Sequence, residues 1–525
     1  MDRRYLIAFV FSLIILLVYP YYLKMIGVTK IQQTTYVNRT EDKIIPSESK
    51  KTNSLPQKQT EIPYHNQFYD IVFSNRGGNI TLLKQGDKVF YKAEPEDAGI
   101  FGIRILHETQ DTAQDLFKIL PSEGTKAATQ FIYEKSGEYR LVKRYFMSQD
   151  RPSFVMEVEL ENLSNREKNF PLQLEYGLDI EHMDQRDEQK VKIARFASGE
   201  AHITRFGAVK KKPLETSEPL EWQGLIKKYY VLLVKPDTKL IGQRTEWNGA
   251  ELVSTLNFPP VTVAPGEKQR IEILVYAGPE QYETLKEFGV GFEKIFSSGM
   301  LGFLRISLLK TLKFFYKLTR NYGVAILLLT LLIKLLFTPF THLSYQSMQK
   351  MQALQPKIKA LQKQYPKDTT RLNKEMMELY RRNKVNPMMG CLPLVLQIPI
   401  FIAFYQVLSE AVELQGAHFI GWINDLSAPD RLFIFPWNLP FVGHSFNLLP
   451  LFMIGSMLWQ QKLTPQTSAD PTQAKMMYFM PVIFGFVFYN LPSGLVLYWT
   501  INNLLTIFHQ LVIKKVPIIL HHEDT

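Results

Sequence analysis

A single cysteine, Cys391, serves the whole chain, so no intrachain disulfide can form. Alone on an apolar segment, it reads as a small buried hydrophobe. The 525 residues contain no HExxH, no paired CxxC, no Walker loop, no GxSxG and no GxGxxG. That removes the motif-borne reasons to expect zinc, nucleotide, dinucleotide or serine-hydrolase chemistry. The ten histidines are scattered, and the adjacent pair His521 and His522 sits in a solvated tail. No catalytic residue, metal or cofactor is expected. Acidic residues are also missing from every long apolar run after residue 321.

What is present is apolar sequence in blocks. The mean hydropathy of −0.10 averages a long polar stretch with apolar runs too long for ordinary core helices. The net charge is +11. Basic residues gather beside the apolar runs, which favours a membrane over nucleic acid.

Tyr5 to Leu23 is almost wholly apolar and follows Arg3 and Arg4. A signal peptide and an anchor share that look. The run is long, and Tyr19-Pro20-Tyr21-Tyr22 is too bulky for a cleavage site, so residues 1–24 read as an uncleaved anchor. Residues 25–63 read as a flexible linker rich in Ser, Thr, Lys, Gln and Pro. From Tyr64 to about Ala277 short alternating runs such as Tyr139–Phe146, Phe154–Leu160 and Arg270–Tyr276 are separated by turn residues. No helical pattern alternates with them, so a large antiparallel β-sandwich is expected over 64–296. Its last stretch, Pro279–Phe296, reads as a helix leaving the domain. Residues 297–321 hold Arg305, Lys310, Lys313, Lys317 and Arg320 among leucines and phenylalanines, the pattern of an amphipathic helix lying in a membrane interface.

Five apolar spans follow in 322–513, near Tyr322–Phe340, Met388–Leu408, Phe446–Trp459, Met476–Tyr489 and Ser493–Ile513. With the anchor they predict a polytopic α-helical membrane protein of six spans. The loop Thr341–Asn386 holds ten Lys/Arg and three acids, whereas Glu410–Ser445 holds Arg431 alone. The first is therefore expected inside and the second outside, with both termini cytoplasmic, the 514–525 tail included, and the β-domain periplasmic. The basic interfacial helix runs against that rule, but a long translocated domain escapes it. Within 341–386, Tyr365-Pro366-Lys367-Asp368 separates two helical halves of a coiled-coil-like hairpin. Eleven of the seventeen methionines lie between Met348 and Met480. Met348, Met351, Leu354, Met376 and Met377 are candidates for docking apolar segments.

Lys334 stands inside an apolar span, where an ammonium is costly unless it meets water or a partner. Thr330, Lys334, Thr338 and Thr341 share one helix face. Asn502, Asn503, Thr506, His509 and Gln510 form a second stripe on the last span, and Gln397 and Tyr405 add polar groups on Met388–Leu408. Facing stripes would make a wet groove. Two plainer readings stay open: Lys334 snorkels to the interface, and the asparagines are interhelical glue.

The stretches Met351-Gln-Ala-Leu-Gln-Pro-Lys-Ile, Lys384-Val-Asn-Pro387, Gly390-Cys-Leu-Pro393, Gln397-Ile-Pro399, Trp422-Ile-Asn-Asp-Leu-Ser-Ala-Pro429, Gln460-Gln-Lys-Leu-Thr-Pro465 and Gly494-Leu-Val-Leu-Tyr-Trp499 together closely resemble the YidC/Oxa/Alb membrane insertase family. Trp222-Gln-Gly-Leu and Tyr276-Ala-Gly-Pro-Glu-Gln-Tyr282 resemble its Gram-negative members with a large periplasmic domain. The resemblance implies a non-enzymatic insertase and chaperone for nascent membrane proteins in the phospholipid bilayer. It implies a five-helix core with a hydrophilic groove open to cytoplasm and lipid, and a periplasmic β-super-sandwich. The family's groove cation is usually arginine; Lys334 at the matching position keeps the charge but loses the planar fork. Thr330 and Trp499 match positions that contact the nascent chain. The resemblance further implies work alone or with the Sec translocon, as a monomer, and only weak ribosome contact through a short tail.

Two rivals remain at this point. A solute transporter predicts internal repeats and an acidic coupling residue, and neither is seen. A sugar-acting envelope enzyme would need paired acids, for which Asp179, Glu181 and Asp184 are the scattered candidates.

Overall fold

The computed structural model describes residues 59–515, except 95–96, 107–110, 121–127, 181–182, 184, 300, 367, 391, 440–442 and 466–470. The expected anchor, nearly all of the linker, Cys391 and the tail beyond residue 515 lie outside the described residues.

Between Glu61 and Pro279 the chain is mostly antiparallel strand, as the alternation predicts. One nine-stranded sheet runs Glu200–Arg205, Lys192–Ala197, Trp222–Lys227, Tyr230–Pro236, Lys268–Pro279, Ser153–Asn162, Tyr139–Met147, Thr129–Lys135, Lys118–Leu120. Five-stranded and four-stranded sheets contribute to the same core. Strand period two sets the division of labour. In Leu172–Asp179, the residues Leu172, Leu174, Tyr176 and Leu178 point into that core while Gln173 and Glu175 do not.

Tyr230–Pro236 breaks the alternation, and the structure shows why. Leu232 and Val234 join the sandwich core, while Val231 and Leu233 face a second cluster on the far side of the sheet. That second cluster also holds Trp222, Phe292, Leu308, Leu312, Leu329 and Leu408, so it continues from the sheet into the helical half. A strand covered on both faces is apolar throughout.

The helix expected over Pro279–Phe296 is not formed as such. The last strand runs to Pro279, and only two short turns of helix follow, Tyr282–Lys286 and Lys294–Ser297. Between them Gly289 and Gly291 hold φ of 66° and 81°, which a helix cannot accommodate. A side chain at Gly291 would press on the Phe196 ring. The bend lays Phe292 on Trp222 and Phe288 on Tyr276.

The amphipathic segment forms helix α1, Gly302–Thr319. Its cations divide. Lys317 stays exposed, but Arg305 turns inward to Glu280 at 3.3 Å and Glu410 at 3.1 Å. Lys192 of the β-domain reaches the same Glu410 at 2.6 Å, and Lys313 meets Glu413 at 2.6 Å. Burial pushes the Glu280 carboxyl up to about 7, with Arg305 pulling the other way. This charge cluster and the apolar cluster together fix the β-domain on the helices.

Seven more helices follow: α2 (Tyr322–Ala353), α3 (Gln355–Gln364), α4 (Thr369–Arg382), α5 (Leu392–Glu410), α6 (Leu449–Leu463), α7 (Pro471–Phe488) and α8 (Ser493–Lys515). Asn321 caps α2 by accepting from Val324 N–H and ties it to the Phe419 carbonyl. Gly323 is required there, because a β-carbon would overlap the Phe419 ring. Helix α2 runs through Pro339 and far past Phe340, the expected span end. The break comes at Leu354, where Pro356 opens α3. By length and composition, Tyr322–Ala353 and Ser493–Val512 can cross a bilayer, and Val395–Glu410 and Phe479–Phe488 are shorter apolar helices. A β-hairpin, Phe433–Leu439 with Gly443–Phe446, precedes α6 where only a loop was expected.

Candidate functional site

Lys334 lies about three turns into α2, and its side chain turns across to α8. Its Nζ donates to Thr506 Oγ1 at 2.6 Å. The Thr506 hydroxyl gives its own proton to the Asn502 carbonyl, so a lone pair faces the lysine. An ammonium carries three N–H donors, and Thr506 takes one. Among the described residues Lys334 has no carboxylate partner. The remaining donors border a cavity of about 280 Å³.

The walls of that cavity come from four helices. Helix α2 gives Ile333, Lys334, Phe337, Phe340, Thr341, Ser344, Tyr345 and Met348, and α5 gives Pro393, Leu396 and Gln397. Helix α8 gives Trp499, Asn502, Asn503, Thr506 and Gln510, and α6 gives Gln460, with Thr464 just past its end. None of these is acidic. The polar groups are held in place by specific bonds: Asn503 to Ser456, Gln510 to Thr464, Gln397 to the Tyr498 hydroxyl, and Ser344 to the Met389 carbonyl. Trp499 is boxed by Phe401, Phe484 and Phe488, and its indole N–H has no partner among the described residues.

The expected site residues therefore separate. Lys334, Gln397, Trp499, Asn502, Asn503 and Thr506 meet on one cavity. Thr330 is buried and bonds back to Ile326, Thr338 bonds back to the Lys334 carbonyl, and Tyr405 packs against the apolar cluster; these three are not on the cavity wall. His509 turns to His342, with ring centres 6.2 Å apart. Asn503 does both jobs that its sequence left open, lining the cavity and bridging to α6. The expected span ends at Trp459, one residue before Gln460, so the contribution of α6 is not part of the expectation. The period of three to four that carries Ser456 on to Gln460 and Thr464 was the available signal.

The hairpin after α2 has its own small core. Met351, Leu354, Ile358 and Val385 are buried, and Met348, Met376, Leu379 and Tyr380 pack around them. Of the five candidate docking residues, Met377 is the exposed one. Met348 touches both the hairpin core and the cavity.

Of the acids considered for sugar chemistry, Asp179 alone lies among the described residues. Glu181 and Asp184 are not described, and Asp179 lies on a separate cavity of about 590 Å³, walled by the β-domain and Gln415, beside Asp97, Glu251 and Lys227.

Comparison with known proteins agrees with this two-part organisation. Residues 314–519 match the family described as 60Kd inner membrane protein, and residues 69–310 match the YidC periplasmic domain. A membrane protein insertase YidC from Pelobacter propionicus is 33% identical over 495 residues, covering 90% of this chain and 89% of the relative. One from Syntrophus aciditrophicus is 32% identical over 566 residues, covering 98% of this chain and all of the relative (100%). Among solved structures, an active YidC insertase with its first transmembrane domain resolved matches at 21% identity and a TM-score of 0.40, over 88% of this chain and 94% of that one. The chain belongs to the YidC family of membrane protein insertases: it is a non-enzymatic inner-membrane protein with a periplasmic domain.

Proposed function

We propose that the cavity around Lys334 is a water-filled groove through which this insertase passes the hydrophilic ends of nascent membrane proteins. The carrying observation is an ammonium in an apolar helix that, among the described residues, meets one hydroxyl, no carboxylate and a cavity without acids. Such a charge stays ionised where water or an incoming anion completes its shell. Thr341, Ser344 and Met348 lead the wall toward the basic hairpin, which supports a cytoplasmic mouth. In the other direction Phe404, Leu408, Leu495 and Tyr498 are buried in the apolar cluster, which supports closure toward the periplasm.

A substrate docks its apolar segment on the hairpin, with Met377 and its exposed neighbours as contacts. The hydrophilic end enters the groove, drawn by Lys334 when it is acidic, and the apolar part slides into lipid, driven by burial. The chain contributes six spans with both termini in the cytoplasm. It works as a monomer, alone or beside the Sec translocon, with weak ribosome contact.

The test is insertion of a single-span substrate with an acidic tail into vesicles holding Lys334 variants. Lys334→Glu abolishes it and Lys334→Arg supports it. Normal insertion of every substrate by Lys334→Ala would show that the groove charge has no role.

A further inference from the structure

Outside the groove, the least accounted-for surface is the β-hairpin between α5 and α6. From Leu432 to Asn447 it carries no Lys, Arg, Asp or Glu. Phe433 is 60% exposed, Ile434 73% and Trp437 60%. Pairing of Phe433 with Phe446 and Ile434 with Ser445 holds the strands together, and the ring contacts of Phe433 and Trp437 among the described residues, with Phe446 and Phe435, stay within the hairpin. Exposed aromatic and β-branched side chains on an edge would aggregate in water unless something covers them.

The base of the hairpin is rigidly mounted. Asp430 accepts from Trp422 Nε1 at 2.8 Å, from Leu448 N–H at 2.8 Å and from Leu449 N–H at 2.9 Å, which caps the start of α6. Asn447 accepts from Arg431 N–H and donates to the Tyr489 carbonyl at the end of α7. The strands thus leave from the level at which two apolar helices end. Directly beside them on α6, Leu451 and Phe452 are exposed, and on the preceding loop so is Ile420. Exposed apolar side chains thus run on in sequence from the hairpin into the first turn of α6.

We propose that this hairpin lies in the headgroup and upper acyl layer of the periplasmic leaflet, with Trp437, Phe433 and Ile434 in contact with lipid. The occupant is lipid because the surface extends a lipid-facing helix and offers no charge to a protein partner. Arg431, exposed at the base, is placed to meet a lipid phosphate. A deeper position is excluded by the strands' unpaired edges, which need the water of the headgroup region. Tryptophan suits that boundary, with an apolar body and one donor. Helix α1 repeats the chemistry, with Phe303, Phe314 and Leu318 exposed beside Lys310 and Lys317. The proposal rests on the orientation given above, with the α5–α6 loop outside.

The test uses full-length protein with Cys391→Ser and one new cysteine, labelled with bimane and reconstituted in phosphatidylethanolamine–phosphatidylglycerol vesicles. Label at Trp437→Cys, and separately at Ile434→Cys, loses fluorescence to acyl-brominated lipid and is shielded from aqueous iodide. Leu335→Cys on α2 behaves the same way, and Lys211→Cys on the β-domain does the opposite. If both hairpin labels follow Lys211→Cys, the hairpin is in water and the proposal falls. If neither quencher reaches them, protein covers the surface, whether a partner or a second copy, and the proposal equally falls. A Leu335→Cys label that follows Lys211→Cys would instead overturn the bilayer reading of the core. Labelling of Arg431→Cys in spheroplasts by an impermeant maleimide supports the leaflet; labelling only after lysis overturns it.

Discussion

Among the described residues, Lys143 and Lys334 both leave bulk water without a carboxylate to meet them, and they end in opposite states. Lys143, in the β-domain, is fully buried and donates to the Gly77 carbonyl at 2.8 Å, Asn79 Oδ1 at 2.9 Å and the Phe101 carbonyl at 2.7 Å. Lys334, in the helical half, donates to Thr506 alone and faces a cavity. Burial drives the Lys143 ammonium well below the usual lysine range, yet its three donors are all used. A saturated shell makes a structural pin. An unsaturated one leaves room for a ligand. The difference lies in the neighbours: a sheet and its loops offer fixed carbonyls, whereas helices spend theirs internally and leave hydroxyls and amides to do the work.

The contrast breaks most severely if the roles of the two are exchanged, which sets the first two predictions. Lys143→Met strands three buried acceptors at about 1–3 kcal/mol each, so the β-domain loses several kcal/mol and unfolds well below the wild-type midpoint. Limited proteolysis of the full-length protein in detergent, probed across 64–296, reads this directly. Insertion by the helical core is expected to be affected less than the domain's melting. Lys334→Glu has the reverse profile. Melting of the β-domain stays at the wild-type midpoint, while insertion of the acidic-tail substrate is lost. A Lys334→Glu protein that melts early and a Lys143→Met protein that inserts nothing would make both residues structural.

Thr506→Val sharpens the comparison by removing the one acceptor that positions Lys334. The ammonium keeps its charge and its cavity, so the loss is that of a single hydrogen bond to a charged group. At about 1–2 kcal/mol this lowers the insertion rate for acidic tails on the order of tenfold. Neutral-tailed substrates are expected to insert normally. Equal slowing of both would mean that Thr506 acts through packing of α2 on α8.

Much of this was legible before any coordinate, and the rest was hidden for physical reasons. The β-domain reads off period two, and the two polar stripes read off apolar helices, but which residue of the second stripe Lys334 meets is seen only in the structure, where it is Thr506. The pin did not read. In Tyr139–Met147 the inward residues are Tyr139, Leu141, Lys143 and Tyr145, so the register does place Lys143 inside. A lysine on a strand is ordinarily read as the outward face, and the acceptors that overturn this are up to 66 residues away in sequence. Heptad-like spacing placed Met351 and Leu354 on an apolar face but could not say that the hairpin would close on them itself. The Phe433–Phe446 hairpin carries two prolines in its apolar run, Pro436 and Pro440, which made a strand an unattractive reading.

The two cavities extend the same contrast to acids. The wall of the Lys334 cavity holds no acid, whereas the other cavity gathers Asp97, Asp179 and Glu251 beside Lys227. Burial, with Asp97 and Asp179 adding repulsion, pushes the Glu251 carboxyl up to about 7. A carboxyl raised in the folded state holds its proton there more tightly than in the unfolded chain. Its stabilising contribution is therefore full below the ordinary glutamate range and is lost as the pH rises through about 7. Glu251→Gln removes that loss. At pH near 8 the variant should melt higher than wild type, by about 1 kcal/mol or about 2–4 °C once partial exposure is discounted. Near pH 4 the two should coincide. Glu280 titrates in the same window but is present in both proteins, so the difference between their melting curves isolates Glu251. A gap that stays constant from pH 4 to 8 would assign the change to packing, and a variant that melts lower at pH 8 would mean that the ionised carboxylate is held by Lys227 instead of opposed by its acidic neighbours.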